Sequence, residues 1–317
     1  MSLSALANAV RAHAGLAAKR DVASVAAVLG AAGLGDDCAV IPDGDGYLLF
    51  AIEGFMAAFL AADPWFAGWC GVMVNLSDIA AMGGRALAVT DALWAEGAAG
   101  AAPLLAGMAA ASAAYHVPVV GGHSNFRARK ARLAVSVLGK AKALLSSFAA
   151  RPGEVLIAAI DLRGCYRPVF DNWQAALEAP AERLRGDLEL LPQIAEVGLC
   201  RAGKDISQAG LVGTAAMLAE CSHVGLRIDP TKIPVPRGVA LERWLNSFPS
   251  FGFLLTATPD NADEILARFA ARGIDAAVIG MVEGQRHVLL DDGKNPEIIW
   301  DFAAMPLMGC GPVRGAA

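Results

Sequence analysis

Charge is sparse in this sequence, and the balance leans negative. Of 317 residues, 18% are Asp, Glu, Lys or Arg, and the formal net charge is −5. Such a balance lacks the basic footprint with which nucleic-acid binders neutralise phosphates, so DNA and RNA are not expected partners. Paired cysteine spacings are missing as well. Cys38, Cys70, Cys165, Cys200, Cys221 and Cys310 are scattered without a C-x-x-C pattern, which argues against a zinc site or a disulfide framework and fits a reducing, cytoplasmic setting. The opening segment, MSLSALANAVRAHAGLAAKRD, has no continuous apolar core of the signal-peptide kind, so export is not expected. The stretch from Gly97 to Tyr115 carries no charge and approaches the roughly 20 residues of a membrane helix. Its Ala, Gly and Pro supply little transfer energy, and the expectation is a loop followed by a buried helix rather than a span.

Apolar residues make up 56% of the chain, but aromatics only 7%. Short β-like runs alternate with longer Ala-rich helical stretches, the pattern of a mixed α/β protein. The length favours two cores. Strands are expected at Tyr47–Ile52, Leu87–Leu93, Val117–Val120 and Arg132–Leu138, with helices at Pro64–Ala81 and Leu104–Tyr115. The Ser, Pro and Gly of LLSSFAARPG then punctuate the chain, dividing it into expected domains of residues 1–148 and 149–317. The second half offers a strand at Val155–Ile160, a polar helical region over Asn172–Val197, a loop with Asp205 and a helix from about Leu211. Further strands are expected at Val224–Ile228, Phe251–Ala257, Ala277–Val282 and His287–Leu290, with a helix at Asn261–Arg272.

Four stretches carry side chains suited to chemistry. In Gly33–Ile41 (GLGDDCAVI) the adjacent carboxylates Asp36 and Asp37 follow a flexible Gly-x-Gly, and hard oxygen donors of this kind suit magnesium. A solvated turn explains them equally well. In NLSDIAAMGG, Asn75 and Asp78 lie three apart and share a helix face, among apolar neighbours that leave little room for a wet one. In VVGGHSN, Gly121 and Gly122 end a β-branched run ahead of His123, where backbone amides can approach a phosphate. The usual reading of such a pair is a turn, and the stretch is not the G-x-G-x-x-G of dinucleotide folds. In KDISQAGL, Asp205 and Ser207 precede a helix start, where either can serve as a cap or face phosphate oxygens.

In this order and spacing, GDDCAVI, NLSDIAAMGG, GGHS and DISQAGL resemble the signature of the AIR synthase-related (PurM-like) superfamily. The resemblance spans about Gly33 to Val282 and implies a two-domain fold. An N-terminal β-sheet domain would bind ATP and form a dimeric barrel, and a mixed α/β domain would follow. It implies Mg2+ and ATP as cofactors, a small-molecule substrate, a homodimer, and transfer of the γ-phosphoryl group to a substrate oxygen or a related nucleophile. Matched position by position, Asp36, Asp37, Asp78 and Asp205 become metal or nucleotide contacts. Asn75, Gly121, Gly122 and His123 line the nucleotide, and Asp78, Asp205 and His123 are the catalytic candidates. Glu53 in FAIEGF stands where members usually carry Asp, a longer carboxylate for metal or cofactor, and Gln208 replaces an acid. These departures leave an alternative: a nucleotide-binding regulatory or structural paralogue without turnover.

Overall fold

The computed structural model describes residues 2–29, 33–168 and 170–311. The chain divides into two compact units. One comprises residues 38–143 and 178–196, the other residues 1–37, 144–177 and 197–317.

The smaller unit is built on an open five-stranded sheet. Its strands are β1 (Ala39–Asp43), β2 (Gly46–Gly54), β3 (Arg85–Glu96), β4 (Val119–Asn125) and β5 (Arg127–Ala141), in the order β1-β2-β5-β3-β4. All neighbours pair antiparallel except β3 and β4, which run parallel. Side-chain alternation divides the sheet into two faces. Leu49, Val89, Leu93, Leu133, Val135 and Val137 are buried on the inner face, which the Pro64–Ala81 helix covers. Gly71 of that helix lies so near the sheet that a Cβ there would come within 3.1 Å of Val135. The helix begins where Asp63 accepts the amide of Phe66 at 3.2 Å and Pro64 occupies the first turn, a favourable start for a helix. Every residue from Phe66 to Ala81 is buried, as an apolar pattern without a polar face requires.

The uncharged stretch forms one helix over its whole length, Gly97–Tyr115, so its first part is not a loop. Pro103 falls inside it, where a helix usually breaks or kinks. Only one stripe is buried, at Ala101, Leu104, Gly107, Met108, Ala111 and Tyr115, the three-and-four spacing of an amphipathic face. By length and composition it passes as a membrane-crossing helix, with 28% of the window buried. It packs on Pro64–Ala81 through glycines: a Cβ at Gly107 would sit 1.9 Å from the Trp65 carbonyl, and one at Gly68 2.0 Å from the Leu104 carbonyl. The helices Ala181–Leu188 and Leu190–Glu196 belong to the same unit, and Arg85 of β3 grips both Glu189 and Glu196. The expected helical region from Asn172 is therefore shorter, because residues 172–174 are a strand and helix starts only at Ala181.

The larger unit contains β6 (Val155–Ile160), β7 (Cys165–Arg167), β8 (Asn172–Gln174), β9 (Ala202–Asp205), β10 (Gly225–Ile228), β11 (Phe248–Pro249), β12 (Gly252–Ala257), β13 (Asp275–Glu283), β14 (His287–Leu290) and β15 (Glu297–Asp301). Seven of them form a sheet in the order β15-β14-β10-β13-β6-β12-β9, and β11-β8-β7 form a small second one. The runs LIAAI of β6 and GFLLTA of β12 are buried at every residue, as strands covered on both faces must be. The Gly210–Ser222 helix is buried from Gly210 to Cys221 and joins Leu6, Ala7 and Val10 of the Leu3–Arg11 helix in one core. Within that core, the carboxylate of Glu220 accepts the amides of Leu307 at 2.7 Å, Met308 at 2.6 Å and Gly309 at 3.3 Å.

Candidate active site

In the larger unit the Gly-Asp-Asp turn is fixed by two different sets of partners. Asp36 accepts the Ser146 hydroxyl at 2.6 Å and the Ser147 amide at 2.8 Å, so its carboxylate ties the turn to the segment after β5. Asp37 accepts the ammonium of Lys204, and its other oxygen accepts the Asp205 amide at 3.3 Å. Lys204 also reaches the Gly35 carbonyl at 3.2 Å and Ser147 Oγ at 3.5 Å. A carboxylate oxygen of Asp37 lies within 4.8 Å of one of Asp205. Asp205 ends β9, a strand buried at all four residues, rather than lying in a loop. Ser207 does not cap the following helix: Ala209 holds the cap position, while the Ser207 amide donates to the Thr214 hydroxyl oxygen at 3.2 Å.

The electrostatics follow from crowding these charges out of water. Burial above all, opposed by Lys204 and helped by Asp205 and Asp36, leaves the Asp37 carboxyl raised to about 7. Burial is the strongest single influence on the Lys204 ammonium and acts against it, but Asp37, Cys221, Asp36 and Asp205 together outweigh burial and raise it. Three carboxylates thus surround one ammonium. That excess of hard oxygen donors is the chemistry of a divalent-cation site.

In the smaller unit, Asn75 is fully buried and Asp78 is 5% exposed, so a solvated helix face is ruled out. Asn75 Nδ2 donates to the Gly71 carbonyl at 2.8 Å. Strand register sets Glu53 opposite Val135, Val135 opposite Asp91, and Asp91 opposite Gly122. Glu53, Asp91 and Gly122 therefore lie in one cross-strand row on the inner face. Gly121 and Gly122 are within β4 rather than in a turn. The reason is steric: a Cβ on Gly122 would sit 2.3 Å from Asp91 Oδ1 and 2.5 Å from the Asp91 carbonyl. Burial raises the Asp91 carboxyl, and its buried Oδ2 has no hydrogen-bond partner among the described residues. His123 is one residue further on, and alternation turns it to the outer face, where its ring lies 5.8 Å from that of Trp94.

The structure thus brings Asp36, Asp37 and Asp205 together in one unit. In the other it aligns Glu53 with Gly122 and buries Asn75 and Asp78 on one helix, but it sets His123 on the opposite face of the sheet. Two residues not singled out from the sequence enter the picture. Lys204 stands directly before Asp205 in a strand that is otherwise apolar or glycine. Asp91 occupies an inward position between Val89 and Leu93, where alternation calls for an apolar side chain.

Comparison with known proteins adds a family to this geometry. The model of the AIR synthase related protein N-terminal domain matches residues 35–141, and that of the C-terminal domain matches residues 170–292. The uncharacterized protein sll0787 of Synechocystis sp. is 46% identical over 87% of this chain and 86% of its own. A thiamine-monophosphate kinase of Synechococcus elongatus is 26% identical over 84% of this chain and 88% of its own. A selenide, water dikinase of Citrifermentans bemidjiense is 27% identical over 71% and 77%, respectively. Among solved structures, T. maritima PurL complexed with ADP superposes with a TM-score of 0.73 at 18% identity, over 89% of this chain and 47% of that one. This chain thus spans about half the length of PurL. AaThiL complexed with AMPPCP and TMP gives a TM-score of 0.68 at 21% identity, over 86% of this chain and 92% of that one. At those identities the two structures establish likeness of fold.

Proposed function

From the premise that this chain belongs to the AIR synthase related family, we propose that it is a magnesium-dependent enzyme that uses ATP to phosphorylate a small molecule or activate it by phosphorylation. The observation that carries this reading is the buried pair Asp37 and Asp205, with carboxylate oxygens within 4.8 Å and Asp36 and Lys204 around them. Relatives support the same reading. Two bear the names of ATP-using kinases, and two solved structures of the fold contain ADP or the ATP analogue AMPPCP.

The donor set fits Mg2+. Asp37 and Asp205 of the larger unit are proposed as metal ligands; within the smaller unit Asp78 and Glu53 are proposed as metal ligands too, joined by Asp91, whose buried Oδ2 has no hydrogen-bond partner among the described residues. When bound, the ion would offset the charge of the ATP phosphates and polarise the transferred group. Asp36 was a metal candidate, but Ser146 and Ser147 engage both of its oxygens, so its proposed role is to hold the turn that presents Asp37. Lys204 holds Asp37 in place. Asn75, Gly121, Gly122 and His123 are proposed nucleotide contacts. Phosphoryl transfer depends on positioned charge more than on a covalent nucleophile, and no nucleophilic cysteine is required: burial raises the thiols of Cys200, Cys221 and Cys310, away from the reactive thiolate form.

A homodimer is part of the proposal. The outer face of the five-stranded sheet exposes Ile41, Phe50, Ile52 and Leu138, with Phe50 at 48% and Ile52 at 65% exposure. An apolar face of this kind is what a second copy would cover.

The deciding assay is ADP release from ATP and Mg2+ across a panel of amides, nucleotides and phosphorylated alcohols. Substrate-stimulated release, lost in Asp205→Asn and Asp78→Asn, is the expected result. Binding of ATP without release for any panel member would favour a non-catalytic paralogue, the reading for which Glu53 and Gln208 speak.

A further inference from the structure

Lys204 is the only buried lysine among the described residues, and every hydrogen of its ammonium has an acceptor. Asp37 Oδ1, the Gly35 carbonyl at 3.2 Å and Ser147 Oγ at 3.5 Å match the three donors that a lysine carries. One of these acceptors is charged and two are neutral. The side chains of Lys204 and Asp37 are only 6% and 5% exposed, so water does not replace either partner, and a carboxylate buried this deeply needs a cation beside it. The neighbouring Asp36 is held differently. Its partners are the Ser146 hydroxyl and the Ser147 amide, both neutral, so an incoming cation finds no charge there to replace.

Both oxygens of Asp37 are engaged, Oδ1 by Lys204 and Oδ2 by the Asp205 amide at 3.3 Å. The amide contact is long and neutral, and an oxygen so held still has a lone pair for another ligand. The ammonium contact is different in kind. An ammonium touching a carboxylate and a divalent ion bound to the same carboxylate are like charges a few bond lengths apart, in a buried place where repulsion is poorly screened. Lys204 can yield without unfolding anything. Its backbone is held in β9, paired with Leu254 of β12, while its stem is flexible, and lysine lacks the rigid fork with which arginine grips a carboxylate. On leaving Asp37 the ammonium keeps two acceptors within reach, the Gly35 carbonyl and Ser147 Oγ.

We propose that Lys204 is a stand-in cation: its ammonium neutralises Asp37 in the metal-free chain, competes with Mg2+ for that carboxylate, and releases it when the ion binds. The inference rests on the metal reading above. Lys204 then has two effects. It keeps the Asp36–Asp37 turn folded before metal arrives, and it lowers the affinity of the chain for the bare ion. Mg2+ carried on ATP brings phosphate oxygens as further ligands, which favours the exchange, so metal and nucleotide load together.

The direct test is nuclear magnetic resonance of the isotope-labelled native chain. Burial protects the Lys204 ammonium hydrogens from exchange, so its Nζ signal is observable, and Lys204→Arg assigns that signal by its loss. The scalar coupling across the hydrogen bond, from Lys204 Nζ to Asp37 Cγ, is expected in the metal-free chain and expected to vanish at saturating Mg2+. In a calorimeter, Lys204→Met should bind Mg2+ without nucleotide at least about tenfold more tightly than the native chain. Metal-free, that variant should melt lower than the native chain, and Mg2+ should narrow the gap. A coupling that survives saturating Mg2+, or one absent from the metal-free chain, would overturn the proposal. So would Mg2+ binding by Lys204→Met no tighter than native, or a melting deficit that Mg2+ leaves untouched, either of which reduces Lys204 to a prop for the turn. Should Lys204→Met fail to fold, the coupling in the native chain decides alone. If the native chain takes up no Mg2+, alone or with AMPPCP, the metal reading itself fails and this inference falls with it.

Discussion

A methyl group on Gly122 would press to within 2.3 Å of the Asp91 carboxylate and 2.5 Å of its carbonyl. Gly122→Ala must therefore displace either the carboxylate or the strand, at a cost of about 1–3 kcal/mol. The expected signature is a lower urea midpoint, partly restored by Asp91→Ala, which removes the side-chain clash but not the carbonyl one. An unchanged midpoint would show that the two strands are not held that closely. Glu220 presents a different residue-scale case. Its buried carboxylate serves three backbone amides of residues 307–309, and each donor stripped of its acceptor costs about 1–3 kcal/mol when burial persists. Glu220→Ala should destabilise by at least 2–3 kcal/mol on that scale, and Glu220→Gln by less. Urea unfolding of both variants checks the order.

Among the elements, the Pro64–Ala81 helix was fully legible in the sequence, because its cap, its proline and its unbroken apolar run are local signals. The β4 strand was not. A Gly-Gly pair reads as a turn, and what demands glycine there is the Asp91 carboxylate on a neighbouring strand, which no local pattern discloses. The same holds for His123: its face depends on register with β3, and a one-residue shift would reverse it. Asp91 and Lys204 were visible as charges in apolar strands, but their partners come from distant sequence. Residues 178–196 gave no compositional hint that they rejoin the smaller unit. Their attachment through Arg85 can be measured. The Arg85 hydrogen bond holds the Glu196 carboxyl below its usual range, so its contribution is present above the ordinary Glu pKa and is lost as pH falls through the lowered one. Hydrogen exchange in residues 181–196 should accordingly rise in acid. Arg85→Ala should raise it at neutral pH and flatten the pH response, for about 1 kcal/mol or less, since the Arg85 side chain is more than a third exposed and well screened.

For the whole molecule, the family and the mixed α/β architecture were readable because four short motifs recur in order, whereas the association of copies depends on a face that only the folded sheet displays. Phe50→Asp and Ile52→Asp are expected to convert a dimer into a monomer in sedimentation velocity. A native protein already monomeric at high concentration would remove the dimer from the account. The central claim is that the carboxylates Asp37 and Asp205 serve a nucleotide-bound cation. Calorimetric titration of the native chain with AMPPCP, with Mg2+ and then with the metal chelated, tests it most directly. The account predicts saturable binding that requires Mg2+ and disappears in Asp205→Asn. Binding of equal strength without the metal, or an Asp205→Asn variant that binds as the native chain does, would contradict it.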